Sequence, residues 1–181
     1  MAELALPTGT VRESFLVAMD EFLAEGRGGP DDVSMVGHEL RGYGPTWGAE
    51  EGFAGDVAEL RAAALEETAR PEGHVPSTTW WWVDGCEYLG RLAFRHRLTE
   101  HLREVGGHIG YDVRPSARRQ GHATAMLAAA LPRVRELGVA LALITCDVDN
   151  IASRRVIESA GGRFEDQRGG KLRFWVATGE Q

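Results

Sequence analysis

Apolar positions in the first third of the chain recur at helical spacing. Phe15, Ala18, Met19, Phe22 and Leu23 fall at i, i+3, i+4, i+7 and i+8, one face of a helix running from Val11 to about Glu25. Thr10 can cap that helix and Gly26 stops it, while Glu3 to Leu6, ended by Pro7, predicts a short strand before it. Phe53, Val57, Leu60, Ala64 and Leu65 form the buried stripe of a second helix, from about Glu51 to Thr68, with Pro71 beyond its end. Residues 26–48, GRGGPDDVSMVGHELRGYGPTWG, are dense in Gly and Pro and read as one long loop, a class of segment that often carries function.

The period then drops to two. Thr78 to Val83, a turn at Asp84 and Gly85, and Glu87 to Arg95 predict a hairpin. Alternation puts Trp80 and Trp82 on one face and Trp81 on the other, so the three serve as core rather than as one pocket wall. Arg91, Arg95 and Arg97 share a face, with His96 opposite; they form either a row that recognises a carboxylate or the rim of a solvated edge strand. A strand over His108 to Val113, a helix over Gly121 to Leu137 and a continuous apolar strand over Ala140 to Cys146 follow. Asp149 or Asn150 caps a helix over Ile151 to Ala160, and strands at Arg163 to Glu165 and Lys171 to Ala177 close the chain. This order describes an α/β sheet with helices on its faces.

Composition narrows the picture further. With 181 residues the chain is long enough for one core and short for two, so a single domain over 1–181 is expected. No uncharged apolar stretch approaches the ~18 residues of a membrane span, and MAELALPTGT lacks a basic, apolar leader, so a cytoplasmic protein with no membrane partner is expected. Cys86 and Cys146 stand apart without ligand-spaced neighbours, which predicts reduced thiols and no metal site. A formal charge of −7 argues against nucleic acid as a partner and mildly favours a cationic substrate, although its first effect is solubility.

The chemistry concentrates in IGYDVRPSARRQGHATAMLAAAL. A strand enters a tight turn holding Arg118, Arg119, Gln120, Gly121, His122 and Ala123, and a helix starts at once. Helix N-termini expose unpaired N–H groups at a positive dipole end, Gly121 allows close backbone approach, and the arginines add charge, all suited to a diphosphate. The nucleotide-binding patterns G-x-x-x-x-G-K-[ST] and G-x-G-x-x-G are absent. The turn resembles the Q/R-x-x-G-x-G/A motif of the GCN5-related N-acetyltransferases (GNAT), matched by Arg118, Gly121 and Ala123. Downstream, ITCDVDNIASRRVIESAGG resembles that family's second cofactor segment, with Asn150 and Ser153 in the matching places, and upstream GGHIGYDVRP resembles its pantetheine-pairing strand.

The resemblance implies a GNAT fold: a central mixed, mostly antiparallel twisted sheet of about seven strands flanked by about four helices. It implies acetyl-CoA as cofactor, CoA as product, and an amine acceptor, expected to be a small molecule, with a protein amine or a noncatalytic CoA-binding role as alternatives. It implies that backbone groups of Tyr111, Val113 and Arg114 meet the pantetheine arm, that Arg118 to Ala123 hold the pyrophosphate, and that Asn150 and Ser153 also contact the cofactor. Dimers are common in the fold, which implies a homodimer by analogy. Transfer to an amine requires a proton acceptor. His108 stands where relatives carry Glu and is the candidate base, or it bonds only backbone. Many relatives place a thiolate-protonating Tyr seven residues after the Asn; here that position is Ile157, which leaves Ser153, Cys146, Tyr111, water or unassisted release of the thiolate. Tyr43 and Trp47 either cover the acceptor pocket or anchor their loop.

Overall fold

The computed structural model describes residues 1–179. Its strands are β1 (Glu3–Ala5), β2 (Ser77–Asp84), β3 (Glu87–Arg95), β4 (Ile109–Val113), β5 (Leu141–Asp147), β6 (Arg163–Arg168) and β7 (Lys171–Ala177). They form one seven-stranded sheet in the order β1-β2-β3-β4-β5-β7-β6. Every neighbouring pair is antiparallel except β4 and β5. The expected mixed, mostly antiparallel sheet is therefore present.

Six α-helices accompany it rather than about four: α1 (Arg12–Ala24), α2 (Met35–Gly42), α3 (Glu50–Ala62), α4 (Glu100–Glu104), α5 (His122–Glu136) and α6 (Ile151–Ser159). The supposed loop 26–48 contains α2, whose N-cap Ser34 accepts the Gly37 N–H at 3.1 Å and which buries Val36 and Leu40 at i, i+4 spacing. Thr99 caps the short α4 in the same way. Two apolar assignments also fail. Leu23 and Leu65 are each about half exposed, because α1 turns Leu23 outward at its end and α3 stops at Ala62, before Leu65.

Each face of the sheet carries its own core. Trp80, Trp82, Phe94 and Ile109 pack beneath Met126, Leu127 and Val134 of α5. Trp81, Val83 and Tyr88 pack on the other face with Phe15, Phe22, Val36 and Phe53 from α1, α2 and α3. The alternation along β2 explains this division. Phe15 is the hub of the second core, with ring centroids of Trp47, Trp81, Tyr88 and Phe53 all within 5.2 Å.

The parallel pair positions the site. Ile109↔Ile144 is the single register pair between β4 and β5, although β4 continues to Val113 and β5 to Asp147. Beyond that rung the two strands diverge and leave backbone groups facing a gap. On the other side, the whole of β4 pairs with β3, which also pairs with β2, so β3 is an interior strand and the edge-strand reading of its arginines is wrong.

Candidate functional site

Hydrogen-bond parity decides which groups of β4 face the gap. In an antiparallel pair, residues alternate between bonding their neighbour and facing away. The Arg95 N–H donates to the His108 carbonyl at 2.7 Å and the Arg114 N–H to the Leu89 carbonyl at 2.9 Å. Even-numbered residues of β4 thus turn to β3, while Tyr111 and Val113 turn their backbone towards β5, where the ladder has ended. The backbone of Tyr111 and Val113 faces the gap, although the Val113 carbonyl accepts from Arg118 Nε at 3.1 Å. Arg114 departs from it: its N–H is spent on β3, its carbonyl accepts from Ala117, and its guanidinium is buried against Glu21, Ser14 and the Tyr88 carbonyl.

At the mouth of the gap the chain turns into α5. Gly121 is the N-cap at φ 84°, left-handed backbone that favours glycine, and no side chain caps the helix. The N–H groups of Gly121, His122, Ala123 and Thr124 therefore meet no protein acceptor among the described residues. A Cβ on Gly121 would meet nothing within 4 Å, so this backbone faces open ground. Arg119, itself at φ 61°, and Gln120 are exposed at the turn. The residues present fit a diphosphate: unpaired donors, a helix dipole and the exposed Arg119 cation converge on accessible backbone.

Arg118 does not supply that charge. Its guanidinium makes a two-point pair with Glu25 of α1 at 2.7 and 2.8 Å, lies over the Phe22 ring, and donates through Nε to the Val113 carbonyl. Glu21 performs the matching task one turn earlier, holding Arg114 and accepting from the Ser116 N–H and hydroxyl at 2.9 Å. Burial pulls the Glu21 carboxyl upward, but these donors outweigh it and hold the group below its usual range. Two carboxylates of α1 thus fix the turn from behind. His122 fixes it from the side, its Nδ1 accepting the Trp82 indole N–H at 3.1 Å.

Across the gap, Asn150 caps α6 by accepting the Ser153 N–H at 3.0 Å. Ser153 Oγ lies 2.8 Å from the Tyr111 hydroxyl. Burial pushes the Tyr111 phenol up to about 12, so it is neutral at ordinary pH. Ile157 is fully buried in the core. Cys146 is buried as well, its thiol pushed up by burial, and so is a poor nucleophile.

His108 sits at the closed end of the gap. Its N–H donates to the Leu143 carbonyl at 2.7 Å, and its Nδ1 accepts the Leu143 N–H at 2.9 Å. Burial, aided by Arg103 and Arg95, lowers the imidazole to about 4. Of the two expected roles, this geometry favours the bond to backbone.

The face opposite α5 and α6 holds a constellation that sequence reasoning missed. Glu39 of α2 meets Arg91 of β3, both nearly fully buried; Arg91 Nε lies 4.0 Å from Asp112, and Arg27 reaches Asp112 at 3.6 Å and Asp32 at 3.4 Å. One signal was available: Glu39 lies three residues after Val36, on the helix face that should be apolar. The expected row of arginines is dispersed. Arg95 donates to the Gly106 and Gly107 carbonyls, and Arg97, beyond the strand, pairs with Glu66 at the surface. Trp47 is buried, donating to Asp56 at 3.0 Å, and Tyr43 donates to Glu59; both anchor the segment rather than line a pocket.

Among solved structures the chain is similar to RimJ of Mycobacterium smegmatis in complex with CoA-disulfide, at 18% identity and TM-score 0.66 over 97% of this chain and 81% of that one. It is similar to RimL, a ribosomal L7/L12 alpha-N-protein acetyltransferase in complex with coenzyme A, at 17% identity and TM-score 0.60 over 97% and 93%. It is also similar to the microcin C7 self-immunity acetyltransferase MccE in complex with acetyl-CoA and AMP, at 11% identity and TM-score 0.62 over 97% and 92%. At these identities the likeness concerns the fold. No curated protein sequence matches significantly. Residues 39–163, more than half of the chain, match the family model described as acetyltransferase (GNAT) domain. That span takes in the diverging β4–β5 pair, the uncapped turn into α5 and the N-cap of α6, and the chain accordingly belongs to the GNAT acetyltransferase family.

Proposed function

We propose that the protein moves the acetyl group of acetyl-CoA to a primary amine by direct attack within a ternary complex. The observation that carries this reading is the set of unpaired N–H groups from Gly121 to Thr124 opening onto the gap along Tyr111 and Val113. Those donors, with Arg119, Gln120 and the amide of Asn150, suit a pyrophosphate and the start of an amide-bearing arm. Tyr111 and Val113 present backbone groups to the rest of that arm. Ser153, whose Oγ lies on the α6 side of the gap, is the side chain we assign to the sulfur end, and His108 holds the β4–β5 rung while water takes the amine proton.

For the acceptor we favour a small cationic amine. The chain carries a formal charge of −7, which favours an ammonium-bearing molecule on approach. The likeness to RimL supports a second reading, an amine of a protein. Free thiols at Cys86 and Cys146 suit a cytoplasmic enzyme, and a homodimer remains our expectation from the fold.

Calorimetric titration with acetyl-CoA, with ATP and NAD as controls, tests the cofactor. Binding of acetyl-CoA alone, abolished in Gly121→Asp while that variant stays folded with only the small drop in melting temperature that a side chain at φ 84° brings, is the expected result; equal affinity in that variant overturns the assignment. CoA release with small amines set against peptide N-termini then separates the two acceptor readings.

A further inference from the structure

Arg95 of β3 is a partly buried cation that meets no carboxylate among the described residues. Its Nη1 donates to the Gly106 and Gly107 carbonyls at 3.2 and 3.3 Å, and those are its side-chain bonds. Burial lowers the guanidinium from its ordinary value, and no acid offsets that burial. A cation placed in this way is costly unless an anion joins it.

The position of Arg95 says where that anion would come from. Phe94 of β3, Ile109 of β4, and Ile144 and Cys146 of β5 belong to the core beneath α5. Alternation therefore turns Arg95, Gly110 and Thr145 to the opposite face, towards α2. Gly110 lies on the middle strand and has no side chain; a Cβ there would meet Met35 Sδ of α2 at 3.0 Å and Arg95 Nη1 at 3.9 Å. On the far side, Thr145 Oγ accepts the Gly106 N–H at 3.2 Å, while its own hydrogen finds no acceptor among the described residues. A guanidinium fork and a hydroxyl donor thus flank a bare strand at the closed end of the gap. Acids on the surrounding elements are engaged with other cations: Asp112 with Arg91 and Arg27, Asp147 with Lys171, Glu104 with Arg168. The neighbouring His108 is lowered by burial and then by Arg103 and Arg95, with no carboxylate acting against them.

We propose that Arg95 and Thr145 bind a carboxylate of the acceptor, so that the substrate is a small amine carrying an acid group on the same molecule. This rests on the acetyl-CoA reading above and narrows its small-amine acceptor. The cofactor arm takes the α5 and α6 side of the gap, which leaves the α2 face to the second substrate. A guanidinium matches the planar carboxylate, the Thr145 O–H adds a third donor, and an acid held there fixes the amine beside the thioester at the closed end. Met35 roofs Gly110 with an unbranched thioether, a side chain that re-packs readily around a guest.

The test follows CoA release from acetyl-CoA with the common amino acids, β-alanine and γ-aminobutyrate, each set against its carboxamide and its decarboxylated amine, and with a peptide N-terminus. Wild type should favour at least one acid over its own carboxamide by about tenfold in kcat/KM, the scale of a charge-assisted hydrogen bond, with the difference carried by KM. That ratio should fall towards unity in Arg95→Gln, fall in part in Thr145→Val, and be partly retained in Arg95→Lys. If Arg95 only braces the Gly106–Gly107 turn, acid and carboxamide decline together and the ratio survives in Arg95→Gln, which overturns the proposal. Turnover confined to carboxamides, to amines without an acid group or to the peptide overturns it as well. Calorimetry with acetyl-CoA separates the failures: a protein that binds acetyl-CoA but turns over no acid lacks the carboxylate site alone, and one that does not bind it loses the cofactor reading and this proposal together. Melting temperatures report folding, and should Arg95→Gln fail to fold, Arg95→Lys and Thr145→Val carry the comparison.

Discussion

His108 shows how one side chain changes meaning with its surroundings. Its ordinary value near 6.5 suits a catalytic base, but burial and the neighbouring Arg103 and Arg95 lower it to about 4. A histidine depressed in this way is neutral in the native state. The unfolded chain takes up its proton near pH 6.5, so stability is fully present above that pH and is lost as pH falls towards 4, on the order of 3 kcal/mol for this group. His108→Asn retains an acceptor for the Leu143 N–H and cannot titrate. Denaturant unfolding at pH 7.5 and 4.5 should therefore show wild type losing more stability than this variant. Parallel losses would mean that the ring is not held neutral. The turnover profile of the variant should keep its shape in pH, whereas a flattened alkaline-going limb would return His108 to the role of base.

At the level of elements, α2 is fastened by a buried charge pair as well as by the apolar area of Val36 and Leu40. Glu39 Oε2 meets Arg91 Nη1, but Glu39 Oε1 and Arg91 Nε and Nη2 have no hydrogen-bond partner among the described residues, so the pair offsets its desolvation chiefly by mutual attraction. Removing one partner strands the other; Glu39→Ala should cost about 3–5 kcal/mol in chemical denaturation. Glu39→Leu combined with Arg91→Met should recover most of that loss, and a double variant as unstable as the single one would show that the ions do more than fasten α2. Glycine density hid α2 in the sequence, yet Ser34, Val36 and Leu40 carried its cap and apolar stripe. The end of α3 was not written in that way. Its pattern runs on to Leu65, and the helix stops at Ala62 because the Ala63 carbonyl accepts the Ser77 N–H at the start of β2.

For the whole molecule, the β4–β5 divergence is set where Gly107 enters β4. Gly107 has φ 61°, and a Cβ there would strike the Leu143 carbonyl oxygen. Gly138 also has positive φ, 93°, but a Cβ there would meet nothing within 4 Å, so it reports backbone strain alone. Gly107→Ala should lower the melting temperature more than Gly138→Ala and should raise the KM for acetyl-CoA, which Gly138→Ala should leave near wild type. Equal effects of the two substitutions would detach the gap from the rung at its closed end.

Local pattern was sufficient for every strand, for the partition of Trp80 and Trp82 from Trp81, and for the turn that begins α5, because pleat alternation, helical spacing and glycine punctuation act between near neighbours in sequence. It was sufficient for the family resemblance too, which rests on contiguous motifs. The partners of charged groups were decided only in three dimensions. Glu21 and Glu25 lie more than 90 residues from Arg114 and Arg118, and no spacing rule connects them. Arg118 therefore reads in sequence as a phosphate ligand and in the fold as an anchor. Tyr111 and Ser153 were each legible as candidates, but their meeting across the gap depends on β4 and β5 parting after one rung, which is a property of the sheet and not of either segment.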